Sequence, residues 1–164
     1  MKQIILSVFA VAIVAVSSCN SKKSTDNNNT VVESADNLST TLFTGDGKEY
    51  KGKVSTQYFG SNKETDNFSV LCQQDEPLVL LQATFANEKD AKSGTALKVK
   101  GGSYKTNAGE FGLSLSISGF EKEFIANEKS TGTLKIEGNK MVVTDMKLFD
   151  RDGKEKIVNA TIAF

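Results

Sequence analysis

The feature that most limits what this chain can fold into is a two-residue alternation of apolar and polar side chains that recurs to its last residue. Phe111, Leu113, Leu115 and Ile117 alternate with Gly112, Ser114, Ser116 and Ser118. A strand sends successive side chains to opposite faces, so this spacing makes a strip with one dry side and one wet side. Val142, Thr144, Met146 and Leu148 repeat it, as do Val158, Ala160, Ile162 and Phe164, and Leu134 with Ile136 gives a shorter example. Phe68, Val70 and Cys72 point one way, Ser69 and Gln73 the other. Residues 78–85 begin apolar on both faces, which suits a central strand. Beyond the N-terminal segment no window of a dozen residues carries a 3.6-residue period. The best helical candidate, Ala86 to Lys92, amounts to one turn in a loop.

Turn chemistry punctuates these runs. Gly45-Asp46-Gly47, Gly60-Ser61-Asn62, Gly101-Gly102, Glu137-Gly138-Asn139 and Asp150-Arg151-Asp152-Gly153 each separate two apolar stretches. Thirteen glycines against a single proline, Pro77, also suit a sheet, because proline removes a ladder donor. Nine or ten strands between residues 39 and 164 predict an all-β, antiparallel domain, with a β-sandwich preferred and a closed, calycin-like β-barrel as the alternative.

Ahead of that domain stands a different kind of segment. Lys2 supplies a positive start, and residues 4–16 are almost unbroken Ile, Leu, Val, Ala and Phe. Small residues then lead into Cys19. A basic tip, a short apolar run and a small-residue cleavage site define a secretory signal over residues 1–18, too short to span a bilayer core that needs about 20 residues. Val16-Ser17-Ser18-Cys19 resembles the lipobox of bacterial lipoproteins. The resemblance implies diacylglycerol on the Cys19 thiol, cleavage before it and an acyl chain such as palmitate on the new amine. Two or more chains anchor stably where one binds reversibly. The alternative is an ordinary signal with Cys19 as a bystander. Residues 19–38 are polar and lack periodicity, the composition of a flexible tether. Asn20 in place of an inner-membrane-retaining Asp leans toward the outer membrane. Lys22 and Lys23 stand where surface-exported relatives carry acidic residues, so periplasmic face and cell surface both stay open.

Several functions are excluded by what is missing. The 20 basic and 20 acidic residues balance, and loss of Lys2 leaves about −1, which argues against a nucleic-acid partner. There is no histidine, hence no Ser-His-Asp arrangement and no common zinc ligand. Cys72 lies in a strand pattern and reads as a small buried hydrophobe. Asp150, Asp152 and Gly153 resemble a fragment of a calcium loop, but Lys154 and Lys156 follow where oxygen ligands are required, so the segment reads as a turn and no metal is expected. The echo between residues 42–49 and 148–155, both Leu-Phe then Asp-Gly-Lys-Glu, reads as one hairpin chemistry reached twice. A carboxylate dyad such as Asp75 with Glu76, or Glu121 with Glu123, is the remaining catalytic option, and no spacing singles one out. The chain is therefore read as no enzyme, with no catalytic residue and no cofactor.

Binding is the better-supported role. Tyr50, Tyr58, Phe59 and Tyr104 lie in or beside turn-rich segments, where a ring could stack on a sugar or fill a partner's pocket; packing against cross-strand neighbours is their alternative. The run Tyr58-Phe59-Gly60, Asn67-Phe68, Gly101-Gly102-Ser103-Tyr104, Ser130-Thr131-Gly132-Thr133-Leu134 and Asp152-Gly153-Lys154 resembles a group of small β-sandwich lipoproteins of gram-negative bacteria that handle polysaccharides. The group supplies no catalytic residue, and it tends to pair tyrosines where this chain has Tyr58-Phe59. The reading is a non-catalytic, lipid-anchored cell-envelope protein, held to the membrane through Cys19, whose domain binds a glycan or an envelope protein. A lipocalin-like carrier of a small apolar ligand is the second reading and a carboxylate-only hydrolase the third.

Overall fold

The computed structural model describes residues 40–94, 97–100, 106–118 and 122–164; the signal segment, the tether, Cys19, Tyr104, Glu121 and the Gly101-Gly102 turn lie outside them. Ten strands and one short helix follow in order: β1 (Thr40–Gly45), β2 (Lys48–Phe59), β3 (Asn67–Gln74), β4 (Val79–Phe85), α1 (Glu88–Ala91), β5 (Lys98–Val99), β6 (Glu110–Ile117), β7 (Lys122–Ile125), β8 (Thr133–Glu137), β9 (Lys140–Phe149) and β10 (Glu155–Ala163).

These strands form one sheet that closes on itself. Pairing runs β10-β1-β2-β3-β4-β6-β7-β9, and β9 pairs back to β10, making a ring of eight. β8 continues the ladder along β9 beyond β7, and β5 adds a two-residue parallel pairing to β6. The all-β expectation and the strand count hold. The arrangement is the closed barrel given as the alternative and not the preferred sandwich: β10 offers one edge to β1 and the other to β9, so the ends of the sheet meet.

Local chemistry explains the turns. Asp46 and Gly47 both have positive φ, 52° and 72°, as a two-residue hairpin with the right strand twist requires. The second half of the echo is also a hairpin turn, but a longer one: residues 150–154 separate the Phe149–Glu155 pair and only Gly153 among them has positive φ, so the two halves share Asp-Gly in a turn without sharing the turn type. Residues 78–85 take the predicted central position, β4 lying between β3 and β6. The one predicted helical turn appears as α1, capped by the Asn87 side chain accepting from Asp90 N–H.

β9 departs from the alternation read in the sequence. Met141 and Val143 are buried rather than Val142 and Thr144, yet Met146 and Leu148 are buried as expected. The register slips by one residue opposite Val158 and Ala160, and Asp145 adopts φ 48°. A bulge of this kind re-aims every following side chain. Asn159 holds it, accepting from Asp145 N–H at 2.8 Å and donating to Asp145 Oδ1 at 3.2 Å.

One apolar cluster fills the inside. Phe43, Phe68, Phe85, Phe111, Met141 and Met146 meet there with Leu81, Leu115 and Leu148. The barrel has two distinguishable ends. The near end carries Thr40, where the described chain enters, together with Phe59, Phe85 and Phe164. The far end carries the turns after Gly45, Gln74 and Phe149.

Candidate functional site

Of the four aromatic residues singled out from sequence, Tyr104 lies outside the described residues, and the other three, all on β2, divide between the inside and the outside of the barrel. Tyr50 and Tyr58 are 5% and 7% exposed, with rings packed on Phe43 at 5.3 Å and Phe68 at 5.1 Å between centroids. They take the packing role, since both occupy inward positions of β2. The Tyr58 hydroxyl still reaches the near-end rim and donates to Glu88, whose other oxygen is 2.6 Å from Lys92 Nζ. These two bonds, that of Lys92 first, hold the Glu88 carboxyl below its usual range. Phe59, one residue further on, points outward and is 48% exposed.

Phe59 borders a surface of uncommon composition. Strand register places Gln57, Ser69, Thr84 and Gly112 in one row across the outside of β2, β3, β4 and β6. The next row is Ser55, Leu71, Gln82, Ser114 and Ile125. Neither row contains a charge, whereas the third row begins at Lys53 and ends at Glu123. Hydrogen bonds fix the middle of this face. Ser69 and Thr84 hydroxyls are 2.8 Å apart, and Gln82 Nε2 donates to both at 3.4 and 3.2 Å. Beside Phe59, the Asn67 amide donates to the carbonyls of Phe85 and Ala86 and to Thr106 Oγ1. The face is therefore rigid and neutral: the Ser69 and Thr84 hydroxyls are buried beneath it, Ser55, Gln57, Leu71, Gln82 and Ser114 are its exposed or half-buried members, and Phe59 stands at its near-end edge.

A second surface lies at the far end. There the strands β7 and β9 share a single register pair, Ile125 with Phe149, while β9 and β10 stay paired out to Phe149 and Glu155. The diverging strands leave a groove of about 580 Å³ lined by Lys122, Phe124, Arg151 and Lys154 among others. Lys156 sits at its base, 5.2 Å over the Phe124 ring and 2.8 Å from Asp46. Asp150, considered above as a calcium ligand, spends its Oδ1 on the amides of Asp152 and Lys154 at 2.9 and 2.8 Å. It builds the turn.

The remaining carboxylates are scattered. Asp75 sits on the β3–β4 turn, bonded to Gln73 and Lys53, and its carboxyl is held low by those two partners. Among the described residues, no group of three His, Cys, Asp or Glu is placed to hold a metal ion, and no helix is long and apolar enough to cross a membrane. Sequence reasoning did not find Gln57, Gln82, Arg151 or Lys154 as surface features. The one available signal was that Arg151 is the sole arginine, placed at a hairpin tip.

Comparison with family models, curated proteins and solved structures finds no match to this chain.

Proposed function

We propose that this chain is a non-catalytic, lipid-anchored protein of the bacterial cell envelope that binds a glycan on the outside of its barrel. The observation that carries the reading is the neutral face bordered by Phe59. Exposed aromatic rings stack on the apolar faces of sugars, and the reachable Gln57 amide and Ser55 hydroxyl match sugar hydroxyls without a charge to desolvate. Phe59, Gln57 and Ser55 are the residues named for this contact, with Leu71 as the apolar floor. Lipid on Cys19 and the polar tether behind it supply attachment to the outer membrane, on its periplasmic face or at the cell surface.

The carrier reading requires a hollow interior, and the positions that would line one are taken by large aromatic and aliphatic side chains. That favours recognition on the outside.

The test is a glycan-array screen with the full, lipidated chain in detergent micelles, repeated with Phe59→Ala. Capture of a neutral envelope polysaccharide that weakens at least tenfold in the variant, with an unchanged melting temperature, is the expected result. Failure of the unaltered protein to retain any glycan would overturn the proposal, as would displacement of a fluorescent fatty acid from the barrel. Cys19 is checked separately by mass spectrometry of the N-terminal peptide.

A further inference from the structure

We infer that the far-end groove between β7 and the β9–β10 turn is a second binding site, built for an acidic saccharide: a sugar carrying a carboxylate among its hydroxyls. The site goes beyond the neutral face, since it occupies the end of the barrel rather than its outer wall.

Shape is the first argument. A groove of about 580 Å³ falls within the size range of small-molecule sites, about 300–1,000 Å³, and exceeds what a bare anion fills. Its cause is architectural, because β7 leaves β9 after one pair while the β9–β10 hairpin carries on.

Charge is the second. Four cations line the groove against three carboxylates. Lys122, Arg151 and Lys154 form no ion pair with another described residue. Lys156 differs, being committed to Asp46 and the Phe124 ring, where it separates the groove from the core. Arg151 offers the planar fork that matches a carboxylate with two parallel bonds, and Lys154 and Lys122 add point charges. The groove's Asp152 carboxylate is an acceptor for sugar hydroxyls. A mixed lining of this kind fits one acidic group embedded in hydroxyls. It does not fit a nucleic acid, whose binding rests on roughly 6–10 phosphate contacts.

Preorganisation is the third. The tip that carries Arg151 and Lys154 is tied by Asp150 N–H to the Lys154 carbonyl at 3.0 Å and Gly153 N–H to the Asp150 carbonyl at 3.1 Å. The Asp150 side chain adds its two amide contacts. Little ordering remains to be done when a ligand arrives. The groove also lies opposite Thr40, at the end of the barrel away from the incoming chain.

The experiment is calorimetric titration of the full chain with trigalacturonate, maltotriose and inorganic phosphate. Trigalacturonate is expected to bind, at least tenfold more weakly in Arg151→Ala and in Lys154→Ala, and unchanged in Lys135→Ala on β8. Maltotriose is expected to give no heat at this groove. Phe59→Ala should leave trigalacturonate binding intact, so failure of the neutral face and failure of the groove are separable. Equal affinity for inorganic phosphate, no binding of trigalacturonate, or binding indifferent to both Arg151→Ala and Lys154→Ala would each overturn the inference. Arg151→Lys, which keeps the charge and loses the fork, should recover only part of the affinity.

Discussion

Lys156 Nζ lies 2.8 Å from Asp46 Oδ2 across 110 positions of sequence. Asp46 N–H also donates to the Ile157 carbonyl at 2.9 Å, and Ile157 N–H donates to Asp46 Oδ1 at 3.1 Å. These three bonds bind the β1–β2 turn to the start of β10, where first and last strands close the ring. The Lys156 bond, then the Ile157 amide, hold the Asp46 carboxyl below its ordinary value. A lowered carboxyl contributes stability that is complete above about pH 4 and disappears as pH falls through the folded-state value. Asp46 is 47% exposed at its side chain, so solvent screens the pair and its worth is no more than about 1 kcal/mol. Asp46→Asn keeps a residue that tolerates positive φ while removing the charge. Urea midpoints of the two proteins are expected to differ modestly at pH 7 and to draw together as pH falls below about 4. A gap that persists in acid would show that the turn conformation, not the charge, is what matters.

The same closure marks where sequence reading stops. The alternation in β6 and β10 survives in the structure because each residue's face depends only on its neighbours in the chain. Ring closure depends on the register of β1 against β10, set by contacts more than 100 positions apart such as Phe43 with Ala160. In β9 the bulge at Asp145 exchanges the faces of residues 141–144, and only Asn159 on the facing strand reveals why. Tyr50 and Tyr58 sit at inward positions of the same strand whose next residue, Phe59, is outward; strand parity without the register of closure leaves inside and outside undetermined. The far-end groove arises from divergence of β7, for which no residue type is a marker.

Gly52 packs against Cys72 so closely that an added β-carbon would overlap the sulfur and lie 3.1 Å from the Cys72 carbonyl carbon. Gly52→Ala should therefore destabilise by about 1–3 kcal/mol, the usual cost of overpacking. Cys72→Ala in that background removes the sulfur but not the backbone contact, so part of the loss should return. Urea denaturation of the single and double variants measures this. Burial pushes the Cys72 thiol up to about 11, against a smaller opposing effect of the Gly52 amide. At pH 8 iodoacetamide should label Cys72 only in denatured protein, as read by peptide mass mapping. Rapid labelling of the native chain would contradict the packing.

The Ser69 and Thr84 hydroxyls, 2.8 Å apart on the neutral face, are both buried. Removing one leaves the other bonded only to Gln82, with its own O–H unpaired, at a cost of up to about 1–3 kcal/mol, while removing both can be nearly neutral. Ser69→Ala and Thr84→Val should each destabilise, and the double variant should be more stable than their sum implies. A double-mutant cycle on unfolding free energies reads the coupling directly. Strict additivity would mean that the bond each hydroxyl already accepts from Gln82 is enough to satisfy the survivor.

Gly132 and Gly138 both hold positive φ, 104° and 62°, on either side of β8, but their surroundings differ. A β-carbon at Gly138 meets nothing within 4 Å, so alanine there carries only the left-handed penalty of about 1–2 kcal/mol. At Gly132 it would come within 2.6 Å of the Asp145 carbonyl carbon and of Met146 Cα. Both are backbone atoms of the β9 bulge, and no side chain can swing away to make room. Lys147 N–H donates to the Thr131 carbonyl at 2.9 Å beside this contact, tying the two segments together. Gly132→Ala must therefore push β9 away from residues 130–132 or lose that bond. The expected cost is about 3 kcal/mol or more, among the larger effects of single substitutions. Parallel urea titrations of the two alanine variants decide the matter. Equal losses would mean that φ alone sets the penalty and that the bulge yields more easily than its bond network implies.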